Sequence, residues 1–194
     1  MEEKALVLDF LPKGRSSDYK SEPMAQLIGR DSFTLLEVVP RQGVELKALD
    51  EIYIGKDERP QVDHIRKRIT HKELTNNSLN ELEPAIQKII TENEKKFVDF
   101  YNNSRSLSLR MHQIELLPGL GKKHMMQILS EREKGPFISF EEMKKRLHPF
   151  PDPVVAIVKR IAEEMEEKDT KFYIFTRPPA PERPFRYERR ERRF

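Results

Sequence analysis

Along residues 1–77 the apolar positions fall in short runs cut by turn-forming residues. Ala5-Leu6-Val7-Leu8-Asp9-Phe10 ends at Pro12-Lys13-Gly14. Phe33-Thr34-Leu35-Leu36-Glu37-Val38-Val39, rich in β-formers, stops at Pro40. Asp50-Glu51-Ile52-Tyr53-Ile54-Gly55 places Ile52 and Ile54 on one face. His64 to Ile69 alternates, with Ile65, Lys67 and Ile69 opposite His64, Arg66 and Arg68. Arg30-Asp31 is placed to turn a hairpin. Strands at this spacing, with no long helix between them, predict a small antiparallel OB-like β-barrel.

The period changes near Ser78. Ser78-Leu79-Asn80-Glu81 has the form of a capping box, and Pro84 suits the first turn of a helix starting slightly later. Ile86, Ile90, Phe97 and Tyr101 recur at helical spacing, which predicts one linking helix over 78–104. Residues 105–168 read as helical throughout. Leu107, Met111 and Ile114 form one stripe, closed by Pro118-Gly119. Met125, Ile128 and Leu129 form the next, closed by Gly135-Pro136. Ser139-Phe140-Glu141-Glu142 opens a third helix, the prolines of His148-Pro149-Phe150-Pro151-Asp152-Pro153 interrupt it, and Val154 to Ile161 make a fourth. Residues 169–176, with Phe172-Tyr173-Ile174-Phe175, read as a short strand returning to the barrel. Residues 177–194, with four Pro and seven Arg, read as a disordered tail. The fold class is therefore α+β, a small barrel followed by an all-α module.

Composition narrows the class. Charged residues make up 36% of the 194, above the average of about 25%. No stretch approaches the roughly 18 apolar residues of a membrane span, and acidic residues Glu2, Glu3 and Asp9 argue against a signal peptide. There is no Cys, which removes disulfides, thiolate metal sites and a cysteine nucleophile. The chain reads as a soluble cytoplasmic protein. Net charge is only +3, but basic residues gather in two places. Residues 105–148 hold nine Lys and Arg against five Glu, and residues 177–194 seven Arg against three Glu. Such segments suit an anionic polymer, although solvated faces that touch nothing have the same look.

The informative stretch is Leu116-Leu117-Pro118-Gly119-Leu120-Gly121-Lys122-Lys123-His124-Met125-Met126-Gln127-Ile128-Leu129. Two glycines flanking Leu120 predict a turn between helices that a Cβ would obstruct, with Leu120 anchored in the core. The N–H groups of Gly119, Gly121 and the next turn would then face outward at the positive end of a helix dipole, beside Lys122 and Lys123. This is chemistry for holding a phosphodiester without reading bases.

Leu117-Pro118-Gly119-Leu120-Gly121, the two lysines and Ile128-Leu129 resemble the helix-hairpin-helix motif of DNA repair, recombination and polymerase proteins. Glu131 to Met143 is similar to the connector of tandem copies, and His148 to Pro153, lacking glycines, resembles a degenerate second turn. Met125 departs from the small residue usual in that family. From Ala5 to about Arg177, notably at Glu51-Ile52-Tyr53-Ile54-Gly55-Lys56 and Ile114 to Lys123, the chain also resembles an uncharacterised archaeal protein family with an OB-like barrel and tandem helix-hairpin-helix units. The resemblance implies backbone binding of nucleic acid, sometimes with a monovalent cation on hairpin carbonyls. It supplies no catalytic residues.

Candidate nucleic-acid-binding residues are accordingly Gly119, Leu120, Gly121, Lys122, Lys123 and Arg132, with Arg66, Lys67 and Arg68 beside Tyr53 as a possible single-strand face of the barrel. An ordinary solvated strand edge accounts for that second group equally well. The five His show no zinc spacing. Asp57, Glu58 and Asp63 lie close in sequence, but a two-metal nuclease needs carboxylates from several elements. The expectation is a binder of DNA or RNA and not an enzyme, with no cofactor beyond that cation. A protein-interaction adaptor in transcription, translation or repair machinery is the alternative, and a metal-dependent nuclease a more distant one.

Overall fold

The computed structural model describes residues 2–15, 22–166 and 170–178. Five strands, β1 (Lys4–Leu11), β2 (Met24–Gly29), β3 (Leu35–Pro40), β4 (Glu51–Tyr53) and β5 (Val62–Arg68), form one antiparallel sheet in the order β4-β1-β2-β3-β5. The sheet curls into a half-barrel. Ala5, Val7, Ala25, Leu27, Leu36 and Val38 close on Ile52, Ile54 and Val62 inside the curl. Leu6, Leu8, Ile28 and Leu35, on the other face, meet the helices. Burial on both faces explains why β2 and β3 carry apolar runs with little alternation. It also explains why the pattern did not mark β2, whose one polar residue, Gln26, is fully buried. Its amide donates to the Glu73 carbonyl and accepts from Thr75 N–H and the Ser78 hydroxyl, clamping the next helix onto the sheet.

Arg30 and Asp31 do turn the β2–β3 hairpin, and the Glu2 carboxylate accepts from the N–H groups of Asp31, Ser32 and Thr34 to hold it. The expected alternation of β5 fails at a bulge. Lys67 pairs with Glu37 but Ile65 with Val38, leaving Arg66 as the extra residue. The face therefore switches: Ile65 packs inside the curl and Ile69 in the helix-facing core.

The linking helix is two helices, α1 (Asn76–Glu92) and α2 (Glu94–Asn103), broken at Asn93, whose φ and ψ of −116° and 36° leave the helical region. Its cap is Thr75, not Ser78: Thr75 Oγ1 accepts from Ser78 N–H at 3.0 Å, and Ser78 is buried against Gln26. Pro84 lies well inside α1. The stripe Leu107-Met111-Ile114 is not helical either. Residues Ser106–Ser108 (β6) and Met111–His112 (β7) form a small hairpin, followed by a 3₁₀ turn over Gln113–Leu116. His112 starts that turn by accepting from Ile114 N–H at Nδ1, so only Ile114 of the three is buried.

Three helices follow among the described residues: α3 (Lys122–Glu133), α4 (Phe140–Arg146) and α5 (Pro153–Glu166). Ser139 caps α4 as its sequence predicts. A continuous core runs from Leu6 and Ile28 through Ile86, Phe97 and Tyr101 to Ile114, Leu120, Met143 and Ile157. Tyr101, fully buried, ties α2 to α5 by donating to the Pro153 carbonyl at 3.0 Å. Residues 170–178 add no strand to the sheet. Buried Glu164 instead accepts from the N–H groups of Ile174, Phe175 and Thr176, and Phe175 packs on Phe97 and Phe100. Most of the Arg-rich tail, residues 179–194, lies outside the described residues. Among the described residues no helix is long and apolar enough to cross a membrane.

Candidate nucleic-acid interface

The turn between the 3₁₀ segment and α3 is set by two apolar anchors. Leu117 and Leu120 are buried, and Leu120 N–H donates to the Leu117 carbonyl at 3.0 Å. Between them Gly119 adopts φ +83°, a region in which a side chain is strained. Gly121 differs. It is the N-cap of α3 with extended φ and ψ of −103° and −172°, and a Cβ there would have nothing within 4 Å. The expectation that a Cβ would obstruct the turn therefore fails on steric grounds at both glycines. At Gly119 the constraint is conformational, and at Gly121 it disappears.

The chemical character of the turn lies in what does not cap it. Among the described residues no side chain bonds the N-terminus of α3. Lys122 and Lys123 are exposed, and neither makes an ion pair among the described residues. The unpaired N–H groups of a first turn and two ammonium groups together make a local concentration of positive charge. Next to them, His124 sets its ring edge-on to Phe150 at 5.5 Å and buries an Nδ1 that has no hydrogen-bond partner among the described residues. Lys123, His124 and Gln127 face Pro149, Phe150 and Pro151 across a shallow pocket. Met125 is half-buried against the core, so α3 accommodates it by packing.

The other candidate residues are otherwise engaged. Arg132 leaves the phosphate-binding set: its Nη1 donates to the carbonyls of Tyr101, Asn102 and Ser104, at 3.3, 3.1 and 2.9 Å. These are the orphan acceptors at the end of α2, so Arg132 caps that helix. Lys67 pairs with Glu73 at 2.6 Å; that contact and the Thr70 N–H hold the Glu73 carboxyl below its usual range. Arg66 and Arg15 flank buried Glu37 at 3.4 and 3.1 Å. Arg68 has no such partner among the described residues. Tyr53 bonds Asp57 and lies over Gly55, on β4, while Arg66 to Arg68 lie on β5. These are the two edge strands, so strand pairing does not bring them together. Glu58 pairs with Arg41 and Asp63 with His64, and among the described residues no group of three His, Asp or Glu is arranged to hold a metal.

Sequence reasoning missed Arg146, which joins the end of α3 to α4. It bonds the carbonyls of Glu131 and Gly135, pairs with Glu142, and stacks 4.5 Å from the Phe137 ring. One Arg within a Lys-Lys-Arg run gave no sign of this.

Comparison with known proteins places this arrangement in a family. The family model described as protein of unknown function DUF655 matches residues 1–177. The chain belongs to that family. An uncharacterized protein of Methanocaldococcus jannaschii is 36% identical over 177 residues, covering 91% of this chain and 80% of that protein. The crystal structure of Af1531 from Archaeoglobus fulgidus, also assigned to DUF655, shares 44% identity. It superposes with a TM-score of 0.86 over 91% of this chain and all of the other.

Proposed function

We propose that this DUF655 chain binds the phosphate backbone of DNA or RNA, without reading base sequence, at the N-terminus of α3. The observation that carries the reading is the uncapped first turn flanked by exposed, unpaired Lys122 and Lys123. A phosphate there accepts the N–H groups of the first turn while the lysines neutralise its charge. Leu120 and Gly119 hold the shape of the turn, and Gly121 leaves the approach open. The carbonyls of Pro118, Gly119 and Leu120 accept no hydrogen bond among the described residues. They are the oxygens suited to the monovalent cation that the helix-hairpin-helix resemblance implies. The strand order, with β4 and β5 as free edges of a curled sheet, supports an OB-like barrel left open at that seam. The reading gives the barrel no share in binding, because its candidate residues sit on opposite edges, two of its three cations, Arg66 and Lys67, face carboxylates, and the Tyr53 hydroxyl bonds Asp57.

Anisotropy of labelled single- and double-stranded DNA and RNA, titrated with the protein at several salt concentrations, tests it. Binding that weakens log-linearly with salt, equally for unrelated sequences, is expected. No binding at low salt, or unchanged binding in the Lys122→Glu/Lys123→Glu variant, overturns the reading and favours a protein partner.

A further inference from the structure

A second feature lies away from the hairpin, where the sheet meets the end of α5. A pocket of about 260 Å³ opens between the start of β3, the exit of β5 and residues 176–178. Its apolar wall comes from Leu35, Ile69 and Met165, and its polar rim includes Arg68, His71 and Arg177. Glu164 is the acidic residue in its lining, and that carboxylate is already neutralised by Arg160 and filled by three backbone N–H groups. Arg68 and Arg177 are exposed and have no carboxylate partner among the described residues, and the His71 ring makes no hydrogen bond among them. The lining residue Phe33 holds φ +55°, unusual for an aromatic residue, between the hairpin turn and β3. Backbone strain of this kind collects at ligand clamps.

From this we infer that the pocket binds a phosphate monoester carried on a small, partly apolar body, with Arg68 and Arg177 on the phosphate. Two guanidinium forks match a dianion in charge and geometry better than they match a single carboxylate. The volume sits at the small end of ligand pockets and admits a body of mononucleotide size or less. Such a group comes either from a free nucleotide or from the phosphorylated end of a strand. The site shares no residue with the α3 hairpin, so the two stand or fall separately.

Adenosine 5′-monophosphate, with adenosine as control, is titrated into the full chain and followed by amide chemical shifts. Saturable shifts confined to residues 32–35, 69–71 and 176–177 are expected. Affinity should fall tenfold or more in Arg68→Gln and in Arg177→Gln, both exposed positions, and hold in Lys122→Glu/Lys123→Glu. Displacement by a 5′-phosphorylated oligonucleotide but not its 5′-hydroxyl form assigns the strand end. Displacement by neither assigns the free nucleotide, and displacement by both alike overturns the inference, because the site then takes a phosphodiester strand without its terminal monoester. Absence of saturable shifts, equal binding of adenosine, or indifference to both arginine substitutions overturns the inference, whatever the hairpin does.

Discussion

Two turns lead into α3 and α5, and they treat the start of the helix that follows in opposite ways. In the later one, Asp152 caps α5: its Oδ1 accepts from Val154 and Val155 N–H, and its Oδ2 pairs with Lys144. The chain places its own anion and its own cation at the positive end of that dipole. In the earlier one, α3 follows Gly121 with no capping side chain, and Lys122 and Lys123 have no ion-pair partner, among the described residues. The start of the helix is self-satisfied in the later turn and left open, among the described residues, in the earlier one. Under the proposed reading only the open turn offers its first N–H groups to a phosphate, while the closed one holds α4 and α5 together.

The largest effect expected is in binding. Reversing both charges in Lys122→Glu/Lys123→Glu should weaken affinity for unrelated sequences alike and make the slope of log affinity against log salt shallower by about two. Urea unfolding should show stability unchanged or slightly raised, because acidic side chains suit a helix N-terminus. Next comes conversion of the open hairpin into the closed kind. Gly121→Asp gives α3 a capping carboxylate in space that is free. It should add a few tenths of a kcal/mol of stability while abolishing most of the binding. A Gly121→Asp protein that binds as well as the parent breaks the comparison outright.

The difference between the hairpins was half legible in the sequence. The Gly-Leu-Gly spacing, the lysines and the prolines marked both turns, because φ > 0 and missing N–H groups are local demands that only certain residues meet. Asp152 as a cap was not legible, since its role depends on where three prolines send the chain. Arg132 looked like a phosphate ligand because a lone cation carries no mark of what it faces; the end of α2, some thirty residues earlier in the chain, claims it. The strands with turn punctuation were read correctly, while β2 was missed because burial on both faces erases alternation. Residues 105–112 carried apolar spacing close to that of a helix, yet a turn at Leu109-Arg110 makes them a hairpin.

Stability, rather than binding, separates the two glycines. Gly119→Ala forces a Cβ onto a backbone at φ +83° and should cost about 1–2 kcal/mol in urea unfolding. Gly121→Ala, at extended φ and in open space, escapes that strain and should cost less, roughly 0.5–1 kcal/mol, which is the advantage of Gly over Ala at an N-cap. Equal costs at both positions would mean that the turn is held by something other than the conformation of Gly119. At the other hairpin, Asp152→Ala removes the cap and the Lys144 pair together and should cost about 1 kcal/mol.

The smallest effect is the pH at which each hairpin loosens, and its sign follows from the two caps. His112 opens the first hairpin as a hydrogen-bond acceptor, so the cap requires the neutral ring. Burial, and then the nearby Arg132 charge, push its pKa below the usual 6.5, with Glu115 opposing. A folded pKa below the unfolded one means that its contribution is whole above pH 6.5 and is lost as pH falls through the folded value. For Asp152, burial raises the pKa, but Lys144 and the N–H groups of Val154 and Val155 outweigh it and hold the carboxyl below 3.8. Its contribution is whole above pH 3.8 and is lost only under stronger acid. Amide exchange followed from pH 7 downward should therefore show Ile114 losing protection first, at mildly acidic pH, while Val154 stays protected until below about pH 4. Loss of both together, or of Val154 first, would mean that the imidazole does not carry the entry to the open hairpin.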